Sequence, residues 1–209
     1  MRSVVPFGVL LAGVLLGGVA APALAQGHFG LAAGTYVPED KEQQSTATFE
    51  IRGGYRVRPE FGFEWAFSKI HLTDTVPFKE DPTVPGIDFD SLLLKLDLYN
   101  LDFSGQWFPK GGHFMVFGGP GLAQVNANLI VTFFGSTFTD PDRTFVLTAH
   151  AGAAYVWDLN RHFFVRPEVR VRHYFGKEVI EPDRIEGFYY SYKATDYQAA
   201  VVVGWKFGS

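Results

Sequence analysis

The sequence predicts an all-β fold, an eight-stranded antiparallel up-and-down transmembrane β-barrel. Three observations predict it. Eight stretches alternate, residue by residue, between bulky apolar side chains and small, polar or charged ones. That is the period of a strand and not of a helix. The connections between the stretches alternate in length, short then long, as in a meander whose two ends face different compartments. The bulky set is also too large for the inside of an eight-stranded barrel, which is just wide enough to be filled by side chains.

Composition narrows the function classes first. The 209 residues are 47% hydrophobic and 16% aromatic, too apolar for a disordered chain. There are 0 cysteines, so neither a disulfide framework nor a thiolate metal site is available. A net charge of −4 argues against a general nucleic-acid binder. The length fits one domain or at most two.

Residues 1–25 read as a cleaved signal peptide. Arg2 supplies the positive start, Val9 to Ala20 the apolar stretch, and Ala23-Leu24-Ala25 the small-residue cleavage site. The remaining barrel domain is 26–209. Its strands are predicted at about His28–Val37, Ala47–Val57, Glu60–Leu72, Leu92–Phe108, His113–Val125, Thr144–Trp157, His162–Phe175 and Tyr190–Phe207. The turns Arg58-Pro59, Pro109-Lys110-Gly111-Gly112 and Asp158-Leu159-Asn160-Arg161 carry the residues that tight turns require. The other four connections are longer: Pro38–Thr46, Thr73–Ser91, Asn126–Arg143 and Gly176–Tyr189. Within the third of these, Leu129-Ile130-Val131 is expected to prolong the fifth strand beyond the membrane.

The two faces assign inside and outside. In the seventh strand Phe163, Val165, Val169 and Val171 alternate with Arg166, Glu168, Arg170 and Arg172. In the second, Phe49, Ile51, Tyr55 and Val57 alternate with Glu50, Arg52, Gly54 and Arg56. In the third, Phe61, Phe63, Trp65 and Phe67 alternate with Glu64, Ala66 and Ser68. A charge facing lipid at mid-membrane costs about 2–4 kcal/mol. The charges therefore belong inside, where opposite signs pair, and the apolar face meets lipid. An interior charge network of Glu50, Arg52, Glu64, Arg166, Glu168, Arg170 and Arg172 is expected, with Asp102, Asp196, Arg56 and Lys206 as further interior charges. Trp107, Trp157 and Trp205 fall at the short-turn ends of their strands, with Trp65 slightly further in and Phe207 at the last. Tryptophan favours membrane–water interfaces, so these five are read as membrane-interface aromatics.

With these features in place the chain resembles the small outer-membrane β-barrel proteins of the OmpA/OmpX/OmpW-like group. The resemblance spans residues 26–209. It is carried by Gly27–Tyr36, by Phe49-Glu50-Ile51-Arg52-Gly53-Gly54-Tyr55, by Phe164–Arg172 and by a last strand ending Gly204-Trp205-Lys206-Phe207. It implies an outer-membrane location, reached through a Sec-type signal peptide and the barrel-assembly machinery. It implies outer-membrane lipid and lipopolysaccharide as surroundings, a monomer, no nucleic-acid partner and no cofactor. The function it implies is structural, surface-interacting or narrowly permeating, around a side-chain-filled interior.

Two other classes compete. A lipid-A-modifying enzyme would need a nucleophile beside its base. His173 is placed for a base, but Phe175 stands where the deacylases carry serine. No catalytic residue is therefore assigned, and the protein is expected not to be an enzyme. A soluble lipocalin-like binding barrel would have to bury the bulky face. The six histidines show no metal-ligand spacing, and no metal site is assigned. Gly118-Gly119-Pro120-Gly121 lacks the Lys-Ser/Thr of a phosphate loop and reads as strand glycines. Glu39-Asp40-Lys41-Glu42 reads as a solvated outer loop.

Overall fold

A computed structural model describes residues 26–38, 45–75, 89–133, 136–175 and 195–208. Eight strands close into a barrel. They are β1 (Gln26–Val37), β2 (Thr46–Arg58), β3 (Phe61–Thr75), β4 (Phe89–Trp107) and β5 (Phe114–Phe133). Next come β6 (Ser136–Tyr155, resuming past Val156 at Trp157–Asp158), β7 (Phe163–Tyr174) and β8 (Thr195–Phe207). Every strand pairs antiparallel with its sequence neighbour, and β1 pairs with β8 to complete the circle. The signal peptide and the acidic stretch 39–42 lie outside the described residues.

The register fixes the geometry. One rung runs from Ala154 through Glu168, Ala200, Gly34, Thr48, Ile70, Leu98 and Val125, and returns to β6 at Thr144, ten residues from its start. That stagger corresponds to strands tilted by about 35–45°. Inward and outward residues then alternate on every strand, as in Thr195–Phe207, where Asp196, Gln198, Ala200 and Val202 are buried and Tyr197, Val201, Val203 and Trp205 are exposed. The outward set includes Phe49, Phe63, Phe145, Leu147 and Val169, each at least half exposed. Among the described residues no helix is long and apolar enough to cross a membrane.

The tight-turn end has the predicted connections. At the β4–β5 turn Lys110 and Gly111 both take positive φ (55° and 66°), which closes it in a short 3-10 segment. At the other end two expectations need correction. Asn126–Arg143 is not a loop: β5 and β6 pair continuously from Phe114↔Tyr155 to Phe133↔Ser136. Leu129-Ile130-Val131 lies within this continuation of β5. Asp140-Pro141-Asp142 has the composition of a turn, yet Pro141 sits in β6 where, among the described residues, the strand has β5 alone as its neighbour. An edge strand accepts proline because its outward N–H is not needed. Strands β3 and β4 are likewise prolonged, pairing up to Thr75↔Leu93.

The second correction concerns the interior. It is not polar throughout. Toward the long-strand end it is filled by Tyr36, Ile70, Leu72, Leu96, Leu98, Val125, Val146 and Tyr174. Toward the tight-turn end it holds Phe108, Met115, Phe117 and Ala154, with Phe164, Ala32 and Val202 beside them. The charges occupy the layer between. Leu101, on the outward face, is nonetheless 3% exposed.

Candidate functional site: the ionic layer and the filled lumen

The middle layer is built by alternation. Glu50 and Arg52 on β2, Glu64 on β3, Asp102 on β4, and Arg166, Glu168, Arg170 and Arg172 on β7 all point inward, each on the inward parity of its strand. All eight are at most 5% exposed. Arg52 is the hub. Its two Nη atoms donate to Glu168 in a bidentate pair, each at 2.7 Å, and Nη2 also donates to Glu50. Its Nη1 reaches Glu64 at 3.3 Å. Arg166 forks onto both oxygens of Glu64 at 2.8 and 2.9 Å. Arg170 donates to Asp102 at 2.9 Å and to Glu168 at 3.3 Å, and Arg172 donates to Asp102. Four guanidiniums thus meet four carboxylates, and Asp196 is a fifth buried carboxylate beside them. Gln198 donates to Glu50, and Tyr36 donates to Asp196.

The seven residues named from the sequence are therefore brought into one cluster. Arg56 and Lys206, expected as further interior charges, lie apart from it. Both lie past the last inward rung, at the tight-turn mouth. There Arg56 donates to the Pro59 and Gly111 carbonyls and stacks 4.0 Å over Phe108, while Lys206 pairs with Asp158. Two participants are absent from the sequence-based set. His28 Nε2 lies 2.8 Å from Glu64, and His150 Nε2 lies 2.7 Å from Ser104 Oγ. The signal is available in the sequence: both share the inward parity of their strands.

Ser104, His150 and Asp102 stand in the order of a nucleophile, base and acid. The geometry does not make them one. The Asp102–His150 distance is 3.7 Å, beyond a hydrogen bond, and Asp102 already serves two arginines. Ser104 is 5% exposed inside the wall, so a substrate has no approach to it. His173 faces outward near the long-strand end, with its Nδ1 3.2 Å from Thr195 Oγ1 and its ring edge-on to Phe175.

The outer wall carries the aromatic belt. Trp107, Trp157, Trp205 and Phe207 are all about half exposed near the tight turns. Trp65 lies over Gly53, where any Cβ would come within 2.7 Å of its ring. Ten residues separate Trp107 from Asp97 on β4, and Trp205 from Thr195 on β8. At the tilt above, ten residues climb roughly 24 Å, the height of the apolar band of a membrane barrel.

The family profile for the outer membrane protein beta-barrel domain matches residues 10–207. The chain belongs to this family. It is an outer-membrane β-barrel protein. Among solved structures it resembles a major outer membrane protein from Thermus thermophilus, with a TM-score of 0.53 and 12% identity over 88% of this chain and 99% of that one. It also aligns with OprG from Pseudomonas aeruginosa (TM-score 0.46, 13% identity, 90% and 98% coverage). A third alignment is with Ail, the attachment invasion locus protein of Yersinia pestis (0.47, 12%, 88% and 97%). Identities this low speak to fold alone. No curated protein sequence matches the chain. In outer-membrane barrels the tight turns face the periplasm and the longer connections the exterior.

Proposed function

We propose that this protein is a sealed, non-enzymatic barrel, exported through its signal peptide and inserted as a monomer by the barrel-assembly machinery. Its role is structural or surface-interacting, and any permeation through it is narrow. The observation that carries this reading is the stacked filling of the lumen. An aliphatic layer, an ionic layer and an aromatic layer follow one another along the axis. Water and solutes would have to displace all three. The ladder between β4 and β5 does lack two rungs, opposite Gly119 and Pro120, because proline offers no N–H. The strands stay in contact there, since a Cβ on Gly119 would collide with the Phe103 carbonyl. A sideways path for apolar molecules therefore finds no support in that interruption.

Planar-bilayer recording of the refolded protein tests the seal. The expected trace shows at most small, brief openings. A steady, large conductance would refute the proposal. The enzymatic alternative is tested by mass spectrometry of lipid A from cells overexpressing the protein, where an unchanged acyl pattern is expected.

A further inference from the structure

The outer wall is not uniform around the barrel. On β3–β6 the outward residues change character within a few rungs. The rung Phe67, Leu101, Leu122 and Leu147 is apolar. Two residues further out on β3 and β4 stand Lys69 and Tyr99, then His71 and Asp97, then Thr73 and Lys95. On β6, Arg143 pairs with Asn126, which itself pairs with Asp97. Lys69 and His71 are more than half exposed at their side chains. Asp97 organises them: its Oδ1 lies 2.8 Å from His71 Nδ1 and 4.0 Å from Lys69 Nζ. Lys69, the deepest of the set, passes 5.2 Å over the Tyr99 ring and reaches upward, as a long cationic side chain does beside lipid. Arg143 Nε donates to Asn126 at 3.2 Å.

The opposite wall differs at the same level. There β7, β8, β1 and β2 present His173, Thr195, Tyr197, Val37 and Ala47, with no Lys or Arg among the described residues. Among the described residues the cations at this level lie on the β3–β6 side, just above the apolar band.

We propose that Lys69, His71, Lys95 and Arg143 form a binding site for the phosphorylated headgroup of an outer-leaflet glycolipid, whose acyl chains lie on the apolar rung beneath. Charge complementarity selects the headgroup: among the described residues of this outer face, three permanent cations and one histidine stand with one carboxylate, Asp97. The depth selects a lipid over a soluble anion, because the site begins where the hydrocarbon ends. The proposal goes beyond the sealed-barrel role. It rests only on the prolonged strands facing the exterior.

The test uses the refolded protein in phosphatidylcholine nanodiscs doped with either bisphosphorylated or dephosphorylated lipid A, with bound copies counted by native mass spectrometry. The wild type should prefer the phosphorylated form. The variant K69A/K95A/R143Q should lose preference by roughly fivefold per cation removed. K69R/K95R should keep it. Gel migration that shifts on heating verifies that each variant is folded. Equal retention of both lipids by the wild type, or a preference untouched by the triple variant, would overturn the proposal. So would loss of the preference in millimolar inorganic phosphate, which would assign the site to a free anion. Orientation is checked separately: Thr139→Cys, exposed on β6, should react with an impermeant maleimide on intact cells. Failure there would overturn the exterior placement on which the proposal rests, even where lipid binding in discs persists.

Discussion

Arg52 is fully buried and still carries its charge among three carboxylates. Such a group is tolerable only while its partners remain. Removing one member of a buried pair costs about 3–5 kcal/mol, since the other is left uncompensated. Glu168 is the partner with most to lose, because it holds Arg52 by two hydrogen bonds and also meets Arg166 and Arg170. Glu168→Ala should therefore lower the urea midpoint of unfolding by an amount equivalent to about 3 kcal/mol or more. The exposed Lys206–Asp158 pair at the mouth is the contrast. Asp158→Asn should cost less than about 1 kcal/mol in the same titration. Equal losses in the two variants would show that burial is not what makes the ionic layer matter. Much of this layer is legible in the sequence. Arg166, Glu168, Arg170 and Arg172 declare their shared face through their spacing alone. Their partners are not legible. Arg52 and Glu168 are 116 residues apart, and only the stagger of the closed barrel decides which acid lies across from which arginine.

Strands differ in how openly their sequences speak. β7 and β8 alternate cleanly, and their faces follow directly from period two. β3 and β4 blur toward the exterior, where Ile70, Leu72, Leu96 and Leu98 point inward and are apolar as well. Apolar residues on the inner face cannot be told by composition from the lipid-facing set, which conceals the aliphatic layer. β6 hides differently. Asp140-Pro141-Asp142 has the composition of a turn, and only an edge position reconciles it with a strand. Among the described residues that extension pairs with β5 alone, the β6–β7 ladder beginning at Thr148↔Tyr174. Barrel closure should not depend on it. Replacing residues 129–140 by a two-residue Asn-Gly turn should leave a folded barrel, read as heat-modifiable migration on a gel. Its loss would show that the extension helps the barrel to close.

The molecule as a whole is turned inside out relative to a soluble domain. Its largest exposed side chains are aromatic and aliphatic, and its charges are buried or gathered at the two ends. A charge added to the outward face of a strand should therefore be costly, although the inward face of the same strand carries paired charges. Val169, 60% exposed at mid-height on β7, faces hydrocarbon. Val169→Arg should destabilise the inserted protein by about 2–4 kcal/mol in lipid vesicles. Val169→Leu should be close to neutral there. A small effect of the arginine would place that wall in water and undo the membrane assignment.

The seam between β1 and β8 has a temporal meaning. Gly27 lies opposite Phe207, so the first strand to emerge must find the last. No hydrogen-bonded edge of this sheet is satisfied until the chain is finished, and in hydrocarbon an unsatisfied edge is not tolerated. Without a partner to cover that edge, the barrel should therefore close in a single slow, cooperative event, timed by the longest-range contact it possesses.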